Sequence, residues 1–99
     1  MNYTRSMKFE WDENKSELCY RTRGFDFVYA AHAFTDQNRM ISQDLRHSYG
    51  EERYQCLGCI AGRLYVLVYT MRYDCIRIIS ARKANQREVL YYENRSHDD

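Results

Sequence analysis

The chain contains no proline, and none of its apolar runs reaches 18 residues. The first absence argues against hinge-rich linkers between domains, and the second against a membrane-spanning helix. The segment Met1-Asn2-Tyr3-Thr4-Arg5 lacks the apolar centre of a secretion signal. A cytosolic location with no membrane association is therefore expected, and with it four reduced cysteine thiols. There is no internal repeat and no low-complexity tract. Lysine is scarce, with three against twelve arginines, and between positions 53 and 87 the only acid is Asp74. That stretch carries Arg53, Arg63, Arg72, Arg77, Arg82, Lys83 and Arg87. The net charge of +1 hides this asymmetry. Arginine offers a planar fork that grips phosphate through two hydrogen bonds, which lysine cannot do. The plainer reading of such a run is a solvated sheet face.

Ninety-nine residues correspond to one domain spanning 1–99, with loose ends at 1–6 and 95–99. At this size folding removes about two-thirds of the extended chain's surface from water, enough for a core without staples. A short strand is expected over 7–11. Asp12 is placed to cap a helix over 13–22, with Gly24 at its C-terminal turn, and Asp26 to open a second helix from Phe27 to Phe34. From Arg39 the hydrophobic period changes to two. Strands are expected over 39–45, 51–59, 63–72 and 75–81, with turns at Tyr49-Gly50, Ala61-Gly62 and Tyr73-Asp74. A last helix follows over 86–94, announced by Asn85 and Glu88 at capping-box spacing. The order defines an α+β protein: a short strand, two helices, a four-stranded antiparallel meander and a C-terminal helix. The helices are expected on one face of the sheet, leaving the other partly open. Alternation puts Tyr54 and Cys56 toward the core and Glu51, Arg53, Gln55 and Arg77 on the open face. Arg82 shares the core parity but stands where strand gives way to helix. Arg77, Arg82 and Lys83 lie on or just beyond the strand at the mouth of a helix N-terminus, a setting that attracts anions such as phosphate.

Several side chains invite sharper assignments. Cys56-Leu57-Gly58-Cys59 has half a zinc-site spacing, but no second pair follows, and residues three apart on a strand face opposite ways. No metal is expected there. Cys19 and Cys75 read as small packed hydrophobes. Tyr65, Tyr69 and Tyr91 lie in apolar runs and read as core, whereas Tyr49 and Tyr73 stand at turns. His32 reads as a packing or surface residue and His97 as part of the tail.

Taken in order, Phe9-Glu10-Trp11-Asp12, Lys15, Gly24 with Phe27, Asp44-x-x-His47-Ser48-x-x-Glu51-Glu52-Arg53, Gly58, Arg77-Ile78-Ile79-Ser80-Ala81-Arg82-Lys83-Ala84, Glu88 and Tyr92 give the chain a family look. It resembles the BrnT toxins of bacterial type II toxin–antitoxin modules over roughly residues 9–93. It departs from them at Cys19, where asparagine is usual, and at Thr22-Arg23-Gly24, where Lys-His-Gly is usual. The resemblance implies a RelE-like fold, RNA cleavage that halts translation, and a BrnA-like, DNA-binding antitoxin that represses the shared operon and forms a hetero-oligomer with the toxin. No cofactor is implied.

Cleavage of RNA without metal needs a base for the 2′-OH, an acid for the 5′-oxygen and cations for charge on phosphorus. His47 titrates near neutrality, and Glu51, four residues on, is placed to act as base or to orient the imidazole. Arg53, Arg77 and Arg82 complete the expected catalytic set. Lys15, Arg23, Arg63 and Lys83 are expected to contact RNA. Two other classes fit the same residues: an RNA-binding module that only grips phosphates, and a protein-binding domain whose basic face meets an acidic partner.

Overall fold

A computed structural model describes residues 7–46 and 50–96. The expectations for His47, for the Tyr49 half of the turn and for His97 fall outside the described residues. The elements are β1 Lys8–Trp11, α1 Glu13–Arg23, α2 Phe27–Ala30 running into a 3₁₀ segment Ala31–Thr35, β2 Met40–Asp44, β3 Arg53–Ile60, β4 Arg63–Arg72, β5 Cys75–Lys83 and α3 Gln86–Ser96. The α+β class holds. The sheet is larger than the expected meander, however. It has five strands in the order β1-β5-β4-β3-β2, and β1 joins β5 in parallel, making the sheet mixed.

Local signals in the sequence explain most boundaries. Asp12 Oδ1 accepts from the Asn14 N–H at 2.8 Å and starts α1. Gly24 ends it in the left-handed region (φ 89°), its N–H donating to the Tyr20 carbonyl. Asp26 Oδ1 accepts from the Tyr29 N–H and starts α2. The expected helix from Phe27 to Phe34 tightens into 3₁₀ geometry after Ala30. This segment lies so close to β3 that a Cβ built on Gly58 would stand 2.3 Å from the Ala33 carbonyl oxygen. Gly58 is therefore the residue that lets the helix backbone rest on the sheet. The β3–β4 turn needs two residues at positive φ, Ala61 at 50° and Gly62 at 83°, as a tight hairpin of matching twist does. The last helix runs past the expected residue 94 to Ser96.

Two apolar layers sandwich the sheet. On one face α1, α2 and the 3₁₀ segment press Cys19, Phe25, Phe27, Ala30, Ala33 and Phe34 onto Cys56, Tyr65, Leu67, Tyr69, Ile78 and Ala81. On the other, Val89 and Tyr92 of α3 pack with Met40 and Ala84 on Leu57, Leu64 and Val66. The alternation of β4, with Tyr65 and Leu67 in one layer and Leu64 and Val66 in the other, assigns the two layers to opposite faces. The expectation that all helices share one face is thus corrected. The apolar strip Leu57–Leu64–Val66 gave no hint of its cover, because alternation identifies a buried face without identifying what buries it. Tyr65 and Tyr69 are buried as expected, but Tyr91 is half exposed on α3.

Candidate active site

The α3 helix covers only one end of its face. Strand register sets out the rest in rows, since residues directly opposed across antiparallel strands share a face. One row holds Met40, Leu57, Val66 and Arg82, beside α3. The next holds Ser42, Gln55, Val68 and Ser80. The third holds Asp44 opposite Arg53, then Thr70 opposite Arg77, then Glu10 beside Arg77 across the parallel pair. Neighbouring rows on one face are roughly 7 Å apart, two residues along a strand. The face therefore offers a floor of Ser42, Gln55 and Ser80 around the buried Val68, with Arg82 on the helix side and Arg53 and Arg77 on the far side.

Arg82 reaches this face because of a β-bulge. Tyr69 opposes Ile78 but Val68 opposes Ser80, so β5 spends one extra residue, Ile79, without a partner on β4. Plain alternation from Ile78 would have sent Arg82 into the core layer. The inserted residue reverses the parity and places Arg82 with Arg77.

Each arginine of this face is held by a carboxylate. Arg77 Nη1 lies 3.4 Å from Glu10 Oε2, and Arg53 Nε lies 3.5 Å from Glu51 Oε2. Arg82 donates through both terminal nitrogens to Glu88, at 2.9 and 2.8 Å. Glu88 is at the same time the capping-box acid. It accepts from the Asn85 N–H, while Asn85 Oδ1 accepts from the Glu88 N–H, each at 2.8 Å. The Arg82 hydrogen bonds, helped by that backbone N–H and by the charges of Arg82 and Arg46, hold the Glu88 carboxyl below the usual carboxylate range. Glu88 is thus an ionised positioner of Arg82 and unsuited to give up a proton near neutrality. Arg46 makes a two-pronged pair with buried Asp44, at 2.9 and 3.1 Å. It lies within electrostatic reach of both Arg82 and Glu88. Thr70 Oγ1 donates to the Glu52 carbonyl at 2.7 Å, and Tyr54 donates to the Glu52 carboxylate at 2.6 Å. These bonds fix the chain as it enters β3.

The structure brings Glu51, Arg53, Arg77 and Arg82 to one face. It sets the expected RNA contacts elsewhere. Lys15 and Arg23 line a small cavity of about 170 Å³ at the α1 edge of β5. Arg23 and Lys83 line a larger cleft on the α1 side of the sheet. Arg63 begins β4 at the Ala61-Gly62 turn, exposed. His32 is exposed on the 3₁₀ segment, Cys56 is buried with its thiol pushed up to about 12 by burial, and Cys59 faces the opposite way, across from Leu64. Among the described residues no cluster of three or more His, Cys, Asp or Glu could hold a metal ion.

Sequence reasoning did not single out Glu10, Asp44 and Arg46 as parts of the site, nor the latch made by Asp36. Asp36 Oδ2 accepts from the Tyr92 hydroxyl at 2.6 Å and from the Cys59 N–H at 2.8 Å, tying α3 to β3. Partial burial would raise its carboxyl, but these bonds, with the Asn38 N–H and the Arg39 charge, outweigh burial and hold it low.

An arginine-rich sheet face, its cations braced by carboxylates, thus stands beside a capped helix. A family model described as "Ribonuclease toxin, BrnT, of type II toxin-antitoxin system" matches residues 11–88. The chain belongs to this family of toxins, and family membership brings with it an RNA substrate and an antitoxin partner. No curated protein matches it. Among the described residues no helix is long and apolar enough to cross a membrane.

Proposed function

We propose that the chain, as one RelE-like toxin domain over residues 1–99, is a metal-independent endoribonuclease that arrests translation in the cytoplasm. The observation that carries this reading is the set of braced arginines, Arg82 on one side and Arg53 and Arg77 on the other, flanking the row of Ser42, Gln55, Val68 and Ser80. In the proposed reaction a base removes the 2′-OH proton and the 2′-oxygen attacks phosphorus. The P–O5′ bond breaks, an acid protonates the leaving oxygen, and a 2′,3′-cyclic phosphate remains. His47 and Glu51 are the proposed acid–base pair. His47 follows Arg46, which is within electrostatic reach of Arg82. The arginines stabilise negative charge growing on the phosphoryl oxygens, and their carboxylate partners hold them in place before substrate arrives. Lys15, Arg23, Arg63 and Lys83 are proposed to guide the flanking strand. A BrnA-like, operon-repressing antitoxin is proposed to silence the enzyme in a hetero-oligomer by covering this face with its own carboxylates.

The test is RNA cleavage by purified protein in EDTA, with analysis of the product ends. Arg77→Ala and Arg82→Ala should each lower the rate about 10²–10³-fold, the usual cost of one lost transition-state donor. His47→Ala should lower it about 10²–10⁴-fold. Retarded but intact RNA would make the protein a binder instead. Full activity in both arginine variants would move the active site off this face.

A further inference from the structure

On the opposite side of the sheet a cleft of about 400 Å³ opens where α1 ends and α2 begins, over the start of β4 and the end of β5. Its size is within the range of clefts that seat small organic ligands. Four rings line it, Tyr20, Phe25, Tyr29 and Tyr65, and the last three pack on one another. Phe25 and Tyr65 meet edge to face at 5.0 Å, Tyr29 and Tyr65 at 5.8 Å, and Phe25 and Tyr29 lie tilted at 6.3 Å. Two exposed cations, Arg23 and Lys83, stand at the cleft, and Asp26 also lines it. Asp26 Oδ1 already caps Tyr29, leaving Oδ2 as an acceptor for an amino group.

Lys83 is the immediate neighbour of Arg82. Register puts them on opposite faces, Lys83 across from Tyr65 and Arg82 across from Val66. Among the described residues the edge between them lacks a strand neighbour, because β1 pairs no further along β5 than Ile78. A flexible chain passing over that edge would meet Arg82 on one side and Lys83 with the aromatic wall on the other.

We propose that the cleft seats one unpaired nucleobase of single-stranded RNA, with an adjoining phosphate on Arg23 and Lys83, so that the strand crosses the β5 edge from the open face. This rests on the ribonuclease reading and adds a subsite to it. A nucleotide supplies the three things the cleft asks for: a π face for the rings, an anion for the cations, and an amino edge for Asp26. An acidic peptide would satisfy the cations alone and be repelled by Asp26.

The experiment uses the full chain and a fluorescein-labelled 2′-O-methyl RNA hexanucleotide, which cannot be cleaved because its 2′-oxygen is blocked. Affinity is read by anisotropy. Stacking is worth about 1–3 kcal/mol per base, so Tyr29→Leu should weaken binding on the order of 10-fold, while Tyr29→Trp should hold or improve it. An oligonucleotide with an abasic position should bind wild type more weakly than the intact one and bind Tyr29→Leu no differently. Arg23→Gln with Lys83→Gln should weaken binding and flatten its salt dependence. Wild-type affinity in a normally folded Tyr29→Leu protein, or weaker binding by Tyr29→Trp than by Tyr29→Leu, overturns the subsite. If unmodified RNA is still cleaved in that case, the ribonuclease reading stands without it. Loss of antitoxin binding in Tyr29→Leu with RNA affinity intact gives the cleft to the protein partner and also overturns the proposal. A wild-type protein that neither binds the intact oligonucleotide nor cleaves RNA removes both readings together.

Discussion

Glu88 serves two structures at once, and substitutions at this position separate them. Glutamine keeps the oxygen that accepts from the Asn85 N–H, since the capping box accepts Glu or Gln, but removes the charge facing Arg82. Alanine removes both. Arg82 is partly exposed (38%), so water screens its pair with Glu88, and about 0.5–1 kcal/mol is a fair value for the charge. Loss of the cap adds about 1 kcal/mol. A domain of this size loses about 4–8 °C of melting temperature per kcal/mol. Glu88→Gln should then melt about 5 °C below wild type near neutral pH, and Glu88→Ala about 10 °C below. The carboxyl is held below its ordinary value of 4.5 in the folded protein. A depressed carboxylate stabilises fully above its unfolded pKa, and that stabilisation is lost as pH falls through the folded pKa. Circular-dichroism melts should therefore show the gap between wild type and Glu88→Gln at neutral pH and see it close as the pH drops below 4.5. A gap of equal size at neutral and acid pH, or none at neutral pH, would refute the account of Glu88 as an ionised partner of Arg82.

Gly58→Ala should destabilise by about 2–3 kcal/mol, because its Cβ meets the Ala33 backbone and overpacking of this kind forces the backbone to move; denaturant titration measures it. Tyr92→Phe removes the hydroxyl that donates to Asp36 and should cost about 1–2 kcal/mol in the same assay, with a smaller acid-induced loss than wild type because Asp36 is less depressed. Arg77→Lys should recover little of the cleavage lost in Arg77→Ala, since one ammonium cannot reproduce a two-pronged grip; near-full activity would show that charge alone suffices at that position.

Local chemistry was readable in the chain. The caps at Asp12, Asp26 and Asn85, the turn at Ala61-Gly62 and the alternation of β3 and β4 are decided by neighbours in sequence, and the structure has them. What escaped depends on contacts between distant segments. The bulge at Ile79 leaves no mark in composition, yet it decides the face of Arg82. The parallel docking of β1 brings Glu10 to Arg77 across more than sixty positions. The burial of Leu57, Leu64 and Val66 was legible without the identity of α3 as their cover. The stretch between 53 and 87 has Asp74 as its one acid, but Arg53, Arg77 and Arg82 draw their carboxylates from outside it, at Glu51, Glu10 and Glu88. Those acids belong to the same family motifs as the arginines, so part of the motif pattern is the pattern of ion pairs.

The short reach of β1 bears on solubility. Beyond Ile78 the outer side of β5 has no strand beside it among the described residues, although Cys19 Sγ approaches the Ala81 carbonyl at 3.6 Å. Such an edge invites another chain to add itself as a strand, and proteins discourage this with charged side chains along it. Here Arg82 and Lys83 occupy that position. The cations proposed to handle RNA would also keep copies of the toxin apart, and neutralising both would remove a barrier to edge-to-edge aggregation along with a grip on phosphate.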